Sequence, residues 1–200
     1  AASLTAACSA EPAAQAPPAS PPSAPPAAPP AASVSAAPSI APAEPSPGTA
    51  PAAKFAVQTR KLTLNRGADR PLPTTVWVPR GDGPFPLILF SHGLGASPAD
   101  YQVLLQSWAR AGFVVAAPAY PHTSAGVADF DVIDLLNQPA DASYVLTQVL
   151  ALGSKAGDPL RGRLDPGHVA AAGHSGGGIT TLGLLSGGAR DVRLRAAVVL

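Results

Sequence analysis

The chain has 200 residues, 46 % of them apolar, enough for one or two small domains, and its formal charge is only +1. All 13 basic residues and 10 of the 12 acidic ones fall in residues 54–200, scattered rather than clustered, so neither a nucleic-acid nor an anionic-membrane footprint is written in it. No apolar stretch approaches the roughly 20 residues of a membrane-spanning helix, and no His/Cys/carboxylate group has ligand spacing, so no metal and no other cofactor is expected.

Residues 1–53 hold 14 of the 25 prolines, Glu11 and Glu44 as their only charges, and no aromatic side chain. That composition has too little bulky apolar surface to offset its ordering entropy, and its proline pairs favour extended polyproline II stretches, so a disordered or semi-rigid tether is expected. The single cysteine, Cys8, cannot form an internal disulfide. It closes Leu4-Thr5-Ala6-Ala7-Cys8, which resembles the end of a bacterial lipoprotein signal peptide, although Thr5 stands where such signals usually carry leucine. The resemblance makes Cys8 a lipidation candidate and implies export, as a surface lipoprotein with a lipid anchor in the membrane or as a secreted protein; a chance cysteine in an alanine-rich run is the alternative. The chain contains no methionine, which suggests a trimmed start or a fragment.

From residue 54 onward strand-like and helix-like stretches alternate, the signature of an α/β sheet covered by helices on both faces. Residues 55–64 and 74–79 read as alternating strands near an edge, joined by the turn chemistry of Asn65-Arg66-Gly67-Ala68-Asp69. Residues 85–90 form a short apolar run suited to a central strand. Ser97-Pro98 then opens a helix, a hydroxyl N-cap before proline, which runs to about Ala111 with Val103, Leu104, Trp108 and Ala111 on one stripe. A buried strand at 113–117, a helix over 139–152 stopped by Gly153, a Pro/Gly-rich loop at 157–167, a helix over 176–185 and a strand over 195–200 complete the expected order.

Gly173-His174-Ser175-Gly176-Gly177 follows the apolar run 169–172 and matches the G-x-S-x-G nucleophile elbow between strand and helix. A serine hydroxyl is a weak nucleophile. The elbow holds it on a strained turn, where glycine neighbours remove side chains that would clash. Acyl transfer also needs N–H donors aimed at the developing oxyanion. The N–H of Gly176, in the first turn of the next helix, is one candidate; the N–H of Leu94, in the glycine-rich turn Ser91-His92-Gly93-Leu94-Gly95 after the first central strand, is the other.

The segments Phe90-Ser91-His92-Gly93-Leu94-Gly95-Ala96, Ala111-Gly112-Phe113-Val114-Val115-Ala116-Ala117 and Gly173-His174-Ser175 together resemble α/β-hydrolases of the platelet-activating-factor acetylhydrolase type, with bacterial polyester hydrolases (cutinase-like) and dienelactone-hydrolase-like esterases close in pattern. The resemblance covers roughly residues 74–200, including Asp165-Pro166 and Gln138-Pro139-Ala140-Asp141. It implies an α/β-hydrolase fold, a mostly parallel sheet with helices on both faces, truncated after the strand that follows the nucleophile helix. It further implies a Ser-His-Asp esterase, monomeric, acting on a small-molecule, lipid or polyester ester, with Leu94 and Gly176 at the family's two oxyanion positions. One departure is plain: the family usually has a bulky residue after the serine, and Gly176 leaves that wall of the acyl pocket open.

In this fold the acid and the histidine follow the serine in the chain. Only Asp191 does so here, before the last strand, where it reads as a turn residue. The four histidines all precede Ser175. His168 opens the nucleophile's strand, roughly 20 Å away at about 3.3 Å per residue; His174 is turned aside by strand alternation and reads as packing support; His92 belongs to the oxyanion turn. His122 and Tyr120, in the loop after the 113–117 strand, are candidates for lining the cleft. The triad acid and base are therefore expected beyond Leu200, and this chain alone is expected to be close to inactive. A hydrolase-fold domain that binds without catalysis is the competing reading. Dinucleotide binding at Gly93-Leu94-Gly95 fails, because Pro98 stands where G-x-G-x-x-G needs its third glycine.

Overall fold

The computed structural model describes residues 54–200; Cys8 and the proline-rich tether lie outside them. Six strands form one sheet: β1 (Val57–Asn65), β2 (Pro71–Pro79), β3 (Phe85–Ser91), β4 (Val114–Pro118), β5 (Leu164–Gly173) and β6 (Leu194–Val199), in the order β1-β2-β4-β3-β5-β6. β1, β2 and β4 pair antiparallel, whereas β4, β3, β5 and β6 run parallel. This is the expected mixed, mostly parallel sheet. β2 begins three residues earlier than its alternation suggests, at Pro71. Pro71 and Pro73 are tolerated because they lie beyond the residues that pair with β4, where missing N–H donors cost little.

Alternation along the central strands divides the core between two faces. Val76, Val78, Leu87, Leu89, Val114 and Ala116 point to one side, packed under α2 (Gln138–Leu152) through Ala142, Val145, Leu146 and Val149, and under α3 (Gly176–Leu185) through Leu184. Trp77, Phe90, Val115 and Ala117 point to the other, under Leu105 and Ala109 of α1 (Gln102–Arg110). The helix expected from Ser97 starts as a 3-10 turn, Pro98–Tyr101, closed by a capping box in which the Asp100 carboxylate accepts from the Ser97 N–H and hydroxyl. Its buried stripe differs from the expected one: Val103 is 85 % exposed, and Leu105 and Ala109 face the sheet instead. The helical period leaves Val103 outside the arc centred on Leu104, Leu105, Trp108 and Ala109.

Register decides what meets at the sheet's C-terminal edge. Ser91 is level with Gly173, and Gly173 with Val199, so the loop after β3 and the turn after β5 emerge side by side. Their approach is closer than any side chain allows. A Cβ on Gly177 would overlap the Ser91 carbonyl oxygen and lie 2.7 Å from that of His92; one on Gly173 would overlap the Gly177 carbonyl and sit 2.7 Å from Thr181 Oγ1.

Tyr120, expected to line the cleft, is instead a fully buried core residue. Its ring fills the α2 side of the sheet and its hydroxyl bonds Ser91 Oγ at 2.8 Å, which satisfies the polar tip of a large apolar body. Asp191 is a turn residue as expected, and a buried one: its carboxylate accepts from Ser143 of α2 and from the Arg193 guanidinium.

Two outcomes are expected of this packing. Gly177→Ala should destabilise the fold by about 3 kcal/mol, the upper end of overpacking costs, because the obstacle is rigid backbone; Gly188→Ala, with no atom within 4 Å of its Cβ, should not. Chemical denaturation of the two variants measures the contrast. The second outcome concerns acid. Arg193, aided by Ser143, holds the Asp191 carboxyl below its usual range, and Arg60 does the same for Asp158 against a smaller opposing push from burial. Their stabilisation is complete above the unfolded value of about 3.9 and is lost as pH falls through it towards the lower folded values. The melting temperature should therefore drop below about pH 4, and Asp191→Asn should flatten that drop while lowering the plateau at neutral pH.

Candidate active site

Ser175 sits between β5 and α3 with φ 53° and ψ −118°, and among the described residues it is the one non-glycine with positive φ. Holding an L-residue there costs of order 1–3 kcal/mol and persists only where the surroundings enforce it. Here they do. The Ser175 N–H donates to the Leu200 carbonyl at 3.0 Å, the Leu200 N–H donates to Gly173 at 2.9 Å, and the Gly173–Gly177 contact fixes the start of α3. The strained turn lifts the serine out of the sheet edge, where it is exposed.

The two expected oxyanion donors come together. Leu94 N lies 3.4 Å from the point where a Gly176 Cβ would stand, and neither the Leu94 N–H nor the Gly176 N–H donates to another group among the described residues. For Gly176 this follows from its place as the first residue of α3, whose opening N–H groups have no partner within the helix and sit at the positive end of its dipole. For Leu94 it follows from how the turn is pinned on either side. The Gly93 N–H donates to Tyr101 Oη at 3.2 Å, and the Gly95 N–H to the Thr123 carbonyl at 2.8 Å. The Leu94 N–H between them has no acceptor among the described residues.

Tyr101, which the sequence does not single out, ties the two halves together. Its hydroxyl accepts from Gly93 and bonds His174 Nδ1 at 2.9 Å, and its ring rests on Phe90 with centroids 4.7 Å apart. His174, expected to be packing support, is instead exposed and tied to the Tyr101 hydroxyl. The hint was the capping box at Ser97, which sets the start of α1 and with it the position of Tyr101.

None of the four histidines hydrogen-bonds the Ser175 hydroxyl. His92 is buried and has both nitrogens engaged: Nε2 accepts from the Tyr120 N–H and Ser124 Oγ, so Nδ1 carries the proton that goes to the Gly93 carbonyl. Burial holds its pKa below the usual value and keeps it neutral. His168 lies at the far end of β5, exposed and paired with Asp165 at 2.7 Å. His122 pairs with Asp129 at 2.8 Å, partly exposed in the loop after β4. Among the described residues no group of three or more His, Cys, Asp or Glu could hold a metal ion.

The loop over 120–137, which has little pattern in the sequence, is tightly organised. It contains a 3-10 turn, Val132–Leu136, started by the Asp131 carboxylate accepting from the Ile133 N–H. Arg70 clamps it: the guanidinium donates to both oxygens of Asp134, on that turn, and to Asp141, fully buried in α2. Buried Gln138 donates to Thr123 and accepts from Thr180 of α3. The turn thus comes to rest against α3, with Leu135 Cδ2 3.3 Å from where a Gly176 Cβ would be and Leu94 Cγ 2.9 Å from it. The wall that glycine was expected to leave open is occupied by two leucines from other loops.

Comparison with known proteins agrees with this architecture. Chlorophyllase-1, chloroplastic, from Citrus sinensis is 32 % identical over 130 residues, covering 63 % of this chain and 37 % of that protein, so the chain spans little more than a third of the length of its curated relative. The solved structure of a ferulic acid esterase from Streptomyces cinnamoneus matches with a TM-score of 0.55 at 20 % identity, over 74 % of this chain and 59 % of that one, which establishes a shared α/β-hydrolase fold. The family profile that matches is Chlorophyllase, over residues 46–199. With more than half its length inside that match, and with the elbow in the place the fold requires, the chain belongs to the chlorophyllase family of α/β-hydrolases.

Proposed function

We propose that the protein is a serine carboxylester hydrolase working through an acyl-enzyme on Ser175. The observation that carries the proposal is the strained, exposed Ser175 beside two unengaged backbone donors, Leu94 and Gly176. A serine nucleophile and oxyanion donors on an α/β-hydrolase fold are two of the parts acyl transfer requires, the histidine base and its carboxylate being the others. The names of the relatives, a chlorophyllase and a ferulic acid esterase, support ester bonds as the target. The loop that brings Leu135 to α3 also exposes Phe130, Val132, Ile133 and Leu136, which favours an apolar ester such as a lipid or polyester.

In the first half-reaction Ser175 Oγ bonds to the ester carbonyl carbon while its proton passes to a histidine base. The carbonyl oxygen becomes the oxyanion between the Leu94 and Gly176 N–H groups. Collapse breaks the carbon–alcohol bond, and the alcohol leaves with the proton held by the base. Water then repeats the sequence on the acyl-enzyme, releasing the acid and free Ser175. His92 has both ring nitrogens engaged, His168 lies at the opposite end of β5, and the Ser175 hydroxyl bonds none of the four histidines, so we propose a base and carboxylate in polypeptide beyond Leu200. Export and anchoring through Cys8 would hold this domain at a surface on its tether.

Fluorophosphonate labelling of the full-length protein tests the assignment, with Ser175→Ala expected to abolish both labelling and turnover of p-nitrophenyl esters. Labelling that persists in Ser175→Ala would sink it, and a protein that is neither labelled nor active would favour the non-catalytic binding domain. A further variant examines the Tyr101 bridge. Tyr101→Phe frees the Gly93–Leu94 turn and loosens one oxyanion donor, so kcat should fall by about 10- to 100-fold, less than complete loss of a donor. KM should change little, since the donor is strongest in the transition state.

A further inference from the structure

Resting on the hydrolase reading above, we infer that Leu135 is a specificity-determining residue that confines the acid side of the ester to short acyl groups. An ester carbonyl held by the Leu94 and Gly176 N–H groups lies beside Gly176, and a long acyl chain directed past that residue finds no room. That space is filled. A Cβ on Gly176 would meet Leu94 Cγ at 2.9 Å and Leu135 Cδ2 at 3.3 Å, so the leucines close over the bare glycine where a side chain on the elbow itself would otherwise stand.

Leu135 is the adjustable part of this wall. Leu94 is tied to the donor it carries, whereas Leu135 arrives from a different loop and takes no part in the oxyanion site. Its position is fixed from behind. Asp134, its neighbour, is buried with both oxygens held by Arg70, and Arg70 is anchored in turn on Asp141, fully buried at the start of α2. A bidentate guanidinium grip sets orientation as well as distance, so the 3-10 turn cannot roll without breaking two parallel hydrogen bonds. Asn137 Nδ2 donates to the same Asp134 carboxylate at 2.9 Å, closing the turn on itself. The half-buried Leu135 side chain is thereby directed at α3 while its neighbours Ile133 and Leu136 face solvent.

The test compares kcat/KM for p-nitrophenyl acetate, butyrate and decanoate in the full-length protein and its variants. The unmodified protein should favour acetate and butyrate. Leu135→Ala should raise decanoate relative to acetate by roughly 10-fold or more, the scale on which a few methylenes of pocket space discriminate. Leu135→Trp should push the preference further towards acetate. Leu135→Val, a smaller excision, should shift the profile in the direction of Leu135→Ala and serves if the alanine variant does not fold. Asp134→Asn, which keeps the shape but weakens the Arg70 grip, should broaden the profile with acetate turnover retained, an effect that mere loss of stability would not give. Val103→Ala, on the exposed face of α1, should leave the profile unchanged. Folded Leu135 variants with the parental acyl profile would overturn the inference. Absence of Ser175-dependent turnover in the unmodified protein would instead overturn the hydrolase reading, so the two failures are distinct.

Discussion

The close contact between Gly173, Gly177 and the carbonyl oxygens of Ser91 and His92 is the constraint on which the site depends, because it leaves the chain after β5 one way to turn. With no side chain at either glycine, the first turn of α3 rests directly on backbone, and Ser175 is forced to φ 53°. A strain of order 1–3 kcal/mol at one residue is small against the packing that enforces it. The same contact brings the loop after β3 against the elbow. Ser175 and the Leu94 and Gly176 N–H groups, the proposed nucleophile and donors, are therefore fixed by a single piece of backbone packing and the register between β3 and β5.

Buried polar groups carry the rest of the arrangement. His92, neutral in its pocket, spans the oxyanion loop and the segment at Tyr120 and Ser124; Gln138 spans Thr123 and Thr180; Arg70 spans Asp134 and Asp141. Each connects segments far apart in sequence, and each has its hydrogen bonds met, the condition under which burial of polar groups is tolerated. Apolar packing alone would hold the loop over 120–137 against the sheet without deciding which residue faces Gly176. Directional bonds to Asp134 and Gln138 decide it.

The sequence shows some of this and hides the rest for a physical reason. The elbow, the central strands, α2 and α3 rest on local signals: alternation, glycine and proline placement, and apolar runs. The nearness of Leu94 and Gly176 is legible in the sequence because each follows the end of a central strand. The place of Tyr120 is not. In a proline-bounded loop a tyrosine reads as surface, and nothing local indicates that its hydroxyl meets Ser91 Oγ across 29 residues. Val103 was misplaced because a helical stripe read from one helix has no fixed edge until the sheet beneath it is known. Tyr101, Leu135 and the Arg70 clamp all depend on contacts at long range, and their residue types alone carry no such information.

The division of labour between the two parts of the proposed triad follows from the same geometry. The proposed donors and nucleophile are assembled from backbone and from a strained turn, groups that need no proton transfer to be in place. Each such donor contributes about 3 kcal/mol to the transition state, whereas loss of the histidine base in a serine protease costs on the order of 10⁶ in turnover, roughly 8 kcal/mol. In the proposed mechanism positioning would supply binding of the oxyanion, and the base most of the rate. His92 has both ring nitrogens engaged and is kept neutral by burial, so its ring serves to hold the loop after β3. Ser175 is exposed, while Leu94 and Leu135 pack over the neighbouring Gly176.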